Sequence, residues 1–145
     1  MDFARGFRMR LHLPIVPPTA THQAKKIVRF NGFSRLADKP ELVAARESYQ
    51  SLLIAGKPEQ KIQGPISLKL TFVWPHKKGT AQKHRGEMIP KVAKPDCDNL
   101  SKTLTDAMAR ALWFDDDALV YSLTVAKYHG PDDKVGVWIE VRGSA

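Results

Sequence analysis

Cysteine is nearly absent from this 145-residue chain: Cys97 stands alone, so no internal disulfide can form. The five histidines are scattered without the paired spacing of a zinc site, which argues against structural zinc. Long apolar runs are also missing. The apolar stretches are strand-sized, such as Ala118-Leu119-Val120, far short of the roughly eighteen residues a membrane helix needs. No membrane association is expected. Met1 to Arg10 carry three arginines but no following apolar block of signal-peptide length, so a cytoplasmic location is the expectation. Acidic charge is in short supply, with 15 Asp and Glu against 23 Lys and Arg and a net charge of +8. Such a balance favours a polyanionic partner, nucleic acid first, over an acidic metabolite. Charge alone fits a merely basic protein equally well, so its distribution along the chain has to decide.

What is present suits one compact domain over residues 1–145, with 43% hydrophobic and 26% charged residues. Arg8 to Val16 alternates, with Met9, Leu11, Leu13 and Ile15 on one side, as a half-buried strand does. Thr19 to Leu36 reads as a polar, basic loop holding Lys25, Lys26, Arg29 and Arg35, interleaved with Phe30 and Phe33. Asp38 is placed to cap a helix with Pro40 and Glu41 in its first turn and Leu42, Ala45, Tyr49, Leu52 and Leu53 at helical spacing. Gly56 and Pro58 end it. Ile66, Leu68, Leu70, Phe72 and Trp74 alternate with polar residues, predicting a strand closed by Pro75.

Between Pro75 and Lys94 no periodicity is sustained, while Lys77, Lys78, Lys83, Arg85, Lys91 and Lys94 gather against one acid, Glu87. A connection of that length reads as a mobile basic loop with a function. Leu100, Leu104, Ala107, Met108, Ala111 and Leu112 then mark one face of a helix beginning near Asp98. Two further alternating strands follow, Ala118 to Tyr128 and Val135 to Val141, with Gly130-Pro131-Asp132-Asp133 expected to join them as a hairpin. The order strand, helix, strand, helix, strand, strand predicts an α+β domain whose mixed or antiparallel sheet is packed by two helices.

Chemistry concentrates around the second helix. Asp96 and Asp98 are two apart ahead of it, and in extended backbone such residues project to one side, where both carboxylates can face one ion. Magnesium and manganese favour oxygen ligands and keep waters, so two or three carboxylates suffice when phosphate oxygens complete the shell. Asp117 offers a third carboxylate, provided the strand it opens runs back along the helix. Lys102, four residues after Asp98, can bring positive charge to the carboxylates or to a phosphate in flight. Each feature has a plainer reading. Asp98 alone is an N-cap worth about 1 kcal/mol, Lys102 its surface partner at about 0.3–0.5 kcal/mol, and Asp115 to Asp117 a solvated turn.

Taken together, Lys94-Pro95-Asp96-Cys97-Asp98-Asn99-Leu100-Ser101-Lys102, then Asp106-Ala107, then Trp113 and Asp116-Asp117, resemble the signature region of RusA-like Holliday junction resolvases. The resemblance is sharp from Lys94 to Lys127 and general before that. It implies a homodimeric, Mg2+-dependent endonuclease, with Mn2+ as a substitute, often prophage-encoded, that resolves four-way DNA junctions by paired nicks in recombination and repair. The family's metal-binding carboxylates carry over to Asp96, Asp98 and the second aspartate of an acidic pair, and its required lysine to Lys102. Three consecutive aspartates occupy the place of that pair. Counting from Trp113 favours Asp116, whereas strand register from Leu123 and Val125 favours Asp117, which is preferred because register decides which side chain faces the site. Leu119 replaces the family's usual glutamine. Lys25, Lys26, Arg29, Lys77, Lys78, Lys83 and Arg85 are the candidate DNA-binding residues, with Phe30 and Phe33 as wedges or core anchors. The rival expectations are a non-catalytic basic nucleic-acid-binding protein, or a nuclease acting on other branched or single-stranded DNA.

Overall fold

The computed structural model describes residues 6–20, 25–30 and 32–144, with the backbone alone at residues 25, 26, 30, 33, 35, 36 and 38. Among these residues it is an α+β arrangement of two helices and a five-stranded mixed sheet, as expected. The long strand β4 (Gln63–Pro75) stands in the middle of that sheet. On one side it pairs antiparallel with β7 (Gly136–Ser144), which in turn pairs antiparallel with β1 (Phe7–Leu13). On the other it pairs parallel with β6 (Val120–Gly130), whose far end pairs with the two-residue β5 (Ile89–Pro90).

Alternation explains why β4 is central. Ile66, Leu68, Leu70, Phe72 and Trp74 are buried on one face, while Ser67, Lys69 and Thr71 occupy the other. Helix α1 (Pro40–Gly56) contributes Tyr49 and Leu53 to the core over that apolar face, and helix α2 (Cys97–Arg110) contributes Leu100, Leu104, Ala107 and Met108. Strand β7 adds Val137, Ile139 and Val141. A fully buried aliphatic or aromatic side chain is worth roughly 1.5–3 kcal/mol, so this shared core dominates the favourable side of folding.

Four local expectations need correction. The span read as a loop from Thr19 to Leu36 contains a second, two-stranded sheet, β2 (Lys25–Phe30) paired antiparallel with β3 (Phe33–Asp38). The side chains of Lys25, Lys26, Phe30 and Phe33 lie outside the described residues, so their assigned roles stand as expectations. Asp38 closes β3 and does not cap α1; Lys39 is the N-cap and supplies no side-chain hydrogen bond, leaving Pro40 to start the helix without a spare N–H. Between Pro75 and Lys94 the chain forms a 3-10 turn at Gln82–His84 and the short β5.

The largest correction concerns β6 and β7. They do not form a hairpin, because β4 lies between them. Gly130 is in register with Pro75 at the end of β4, and Gly136 with Val73, so residues 131–135 step across the end of β4. The apolar face of β4 is buried along its length, and a central place with a neighbour on each side achieves that. No helix among the described residues is long and apolar enough to cross a membrane.

Candidate active-site groove

Helix α2 delivers the first acidic residues. Asp96 is its N-cap, in extended backbone at φ −70° and ψ 151°, and its side chain makes no capping bond. Asp98 already lies in the first helical turn. The expectation that both sit in extended backbone therefore holds only for Asp96, since in a helix residues two apart diverge. Lys127 fixes the approach to this turn. Its Nζ donates to the carbonyl oxygens of Ala93 at 2.7 Å and Pro95 at 2.8 Å, tying the segment before Asp96 to β6.

The return from α2 is set by a compact C-terminal turn. Leu112 N donates to Ala109 O and Trp113 N to Met108 O, with Leu112 in the left-handed region at φ 65°. These are the two bonds of a Schellman ending, which turns the chain back on the helix. Trp113 and Phe114 are fully buried and anchor the turn. The Trp113 indole N–H donates to Leu53 O at 2.9 Å, a carbonyl in the last turn of α1 with no helical partner of its own, and Trp113 O accepts from Ile62 N.

The three consecutive aspartates then take three different positions. Asp115 pairs with Lys61 at 2.8 Å. Asp116 caps the 3-10 turn Asp117–Leu119 by accepting from Ala118 N at 2.8 Å. Asp117 faces α2, where its Oδ2 accepts from Lys102 Nζ at 2.8 Å. The same ammonium is 3.1 Å from Asp106 Oδ1, one turn further along the helix.

The chain thus returns beside the middle of α2 and not to its start, as sequence reasoning supposed. Lys102 is four residues beyond Asp98, about 6 Å along the axis. Short as it is, the turn that Trp113 and Phe114 anchor brings the chain only to Lys102 and Asp106. Asp98, Asn99, Ser101, Lys102, Thr105 and Asp117 nevertheless line one open groove of about 510 Å³, closed on its other side by Val120, Tyr121 and Leu123 of β6. Asp96 and Asp116 are exposed and do not line it.

Electrostatics within the groove are reciprocal. The Asp117 carboxyl is held below its ordinary range, chiefly by the hydrogen bond from Lys102, which outweighs the opposing effect of burial, with Asp116 and Asp106 adding smaller effects in the same downward direction. The Lys102 ammonium is held above its ordinary range by its bonds to Asp117 first and Asp106 second. Both remain ionised at neutral pH. Asp106 is the residue sequence reasoning passed over as part of a motif; its position four residues after Lys102, on the same helical face, was the available signal. Among the described residues no group of three or more acidic, histidine or cysteine side chains closes into a chelate. Two hard oxygen donors in one groove, Asp98 and Asp117, are still the donor chemistry that magnesium and manganese take.

The basic residues fall into two groups. Lys78, Lys83 and Arg85 are exposed on the connection between β4 and β5, and Arg29 is exposed on β2. Lys77 belongs to a tighter cluster: the Lys91 ammonium is held below its ordinary range by burial first, then by Lys127 and Lys77. Lys91 also stands 5.1 Å over the Trp74 ring. Part of the basic loop is therefore fastened near the lysine that orders the entry to Asp96.

A family model described as endodeoxyribonuclease RusA matches residues 15–142. An uncharacterised protein of Bacillus subtilis (strain 168), YqaN, is 30% identical over 89 residues, 57% of this chain and 62% of that protein. The chain thus matches a little under two thirds of that relative's length.

Proposed function

The chain belongs to the RusA endodeoxyribonuclease family, and on that premise we propose that it hydrolyses phosphodiester bonds of branched DNA, four-way junctions first, in the groove between α2 and β6. The observation that carries this reading is an acidic groove holding a lysine, Asp98 and Asp117 around Lys102, in a protein of net charge +8. A surface meant only to grip phosphates gains nothing from carboxylates at its centre, whereas a hydrolytic site needs them.

Asp98 and Asp117, with Asp96 just upstream, would hold a divalent magnesium or manganese ion, and Asp116 is the alternative third carboxylate. Such an ion, when bound, supplies charge neutralisation at the phosphate and eases deprotonation of an attacking water. Lys102 is positioned to offset charge developing on the phosphate, and Asp106 holds that ammonium in the groove. The clamp from Lys127 keeps the entry to Asp96 in place. Lys77, Lys78, Lys83 and Arg85, with Lys25, Lys26 and Arg29, would carry phosphate contacts outside the groove. Two copies about a two-fold axis would present two grooves to the two equivalent strands of a symmetric junction. This activity suits intermediates of recombination and repair.

The test compares a four-way junction, a Y-structure and a duplex of one sequence, each with and without magnesium or manganese. Paired symmetric nicks in the junction, only with metal, are expected. Binding without nicking under every condition would select the non-catalytic reading, and faster cleavage of Y-structures or single strands would reassign the substrate.

A further inference from the structure

The face of the five-stranded sheet turned away from the helices carries a second charged feature. Arg8 on β1 stands directly opposite Arg142 on β7, and Arg142 is in register with Ser67 on β4. One row further along, Arg10, Glu140 and Lys69 face each other across the same three strands. Like charges directly opposite across a sheet are destabilising, so this arrangement needs an anion. Glu140 is the anion present. Its Oε1 lies 2.9 Å from Arg8, 3.5 Å from Arg142 and 3.6 Å from Arg10. Burial disfavours ionisation of this carboxyl, and Arg10, Arg8 and Arg142 outweigh that effect.

One carboxylate among four cations leaves three positive charges in surplus. The arginine side chains are 49%, 70% and 56% exposed at Arg8, Arg10 and Arg142, and each guanidinium has five N–H donors, more than one shared oxygen can fill. Arg8, Arg142, Ser67 and Tyr121 line a hollow of about 420 Å³. Tyr121, 62% exposed, also borders the acidic groove, so the two depressions share a wall.

We infer that the Arg8–Ser67–Arg142 hollow is a phosphate subsite for the DNA strand that leaves the acidic groove over Tyr121. The inference rests on the proposed function and adds to it a contact on the sheet, outside the basic loops. Arg142 and Arg8 supply planar donor pairs matched to phosphate oxygens, Ser67 a hydroxyl, and Tyr121 a ring on which a base can stack. A second copy of the chain suits this face poorly, because three surplus positive charges would meet three.

The experiment measures binding of a labelled four-way junction in EDTA across a series of potassium chloride concentrations. The full-length wild type is compared with Arg8→Gln/Arg142→Gln and with Arg8→Lys/Arg142→Lys, thermal melting confirming that each folds. Loss of two phosphate contacts lowers the slope of log affinity against log salt by about 1.8, and the lysine pair retains most of it. Should the glutamine pair fail to fold, Arg142→Gln alone is expected to lower it by about 0.9. An unchanged slope in a folded variant overturns the inference while leaving the proposed function standing. No junction binding by the wild type overturns both. A change in sedimentation from two copies to one, with the slope unaltered, reassigns this face to self-association and overturns the inference.

Discussion

Lys127→Met removes the two bonds that hold the entry to Asp96, and its consequence can be worked out in advance. The Nζ donors lie at 2.7 Å from Ala93 O, at an exposed site, and 2.8 Å from Pro95 O, at a half-buried one. A hydrogen bond from a charged group contributes about 1.5–3 kcal/mol when buried, and less where water replaces it. Together the pair is worth roughly 1.5–2 kcal/mol of local order, most of it at Pro95. If that order keeps Asp96 and Asp98 in working geometry, its loss lowers the nicking rate about tenfold, since each 1.36 kcal/mol is a factor of ten. The assay is single-turnover nicking of a four-way junction at saturating protein, which removes any change in DNA affinity. Hydrogen exchange at the amides of Ala93, Lys94, Asp96, Cys97 and Asp98, in protein without DNA, reads the local order directly. Lys127→Arg, which keeps the charge and donors, should recover most of the rate. Wild-type nicking by Lys127→Met together with unchanged exchange at those amides would refute a positioning role for this lysine.

Trp113→Phe leaves Leu53 O without its indole donor and a gap where the larger ring was fully buried. A loss of about 2–4 kcal/mol in urea unfolding is expected, and one under about 0.5 kcal/mol would show that the turn is anchored otherwise. The Lys102–Asp117 pair has a defined pH signature in metal-free protein. Because the Asp117 carboxyl is depressed, its contribution is present above the ordinary aspartate range and lost as pH falls through its lowered folded value; because Lys102 is raised, its contribution persists until strongly alkaline pH. Wild type minus Lys102→Gln should therefore be constant across neutral pH and shrink in acid, and at the other end only in strong alkali. The difference is at most about 0.5 kcal/mol given the exposure of both groups. A difference that grows towards acid would reverse the assignment.

Legibility in the sequence followed the range of the interactions. The helical spacing of Leu100, Leu104, Ala107, Met108 and Ala111 and the apolar alternation from Ile66 to Trp74 are local imprints of burial, and these side chains are buried, whereas Leu112, expected on the same face, lies beyond the helix end in the left-handed region and is 51% exposed. The β2–β3 ribbon shows little apolar alternation among its charged residues, and its one strong local signal is the Asn31-Gly32 pair, a hairpin dipeptide. Gly130-Pro131-Asp132-Asp133 marks a reversal equally well whether the joined strands touch or straddle a third, so the place of β4 between β6 and β7 was not written there. The site was legible in its residue types and not in its depth. Strand register singles out Asp117 among the three aspartates, yet that residue opens a 3-10 turn ahead of β6, and its position follows from the buried Trp113 and Phe114 that fix the reversal. Helical spacing offers Asp106 to Lys102, but it does not show that Asp117 shares the same ammonium.

The central claim is that the Asp117 carboxylate belongs to a hydrolytic site. Asp117→Asn preserves its size and its ability to hydrogen-bond while removing the charge, so nicking and binding of one four-way junction should be measured side by side in magnesium. Junction affinity close to wild type with nicking lost is expected. Nicking at the wild-type rate by the folded variant would contradict the claim.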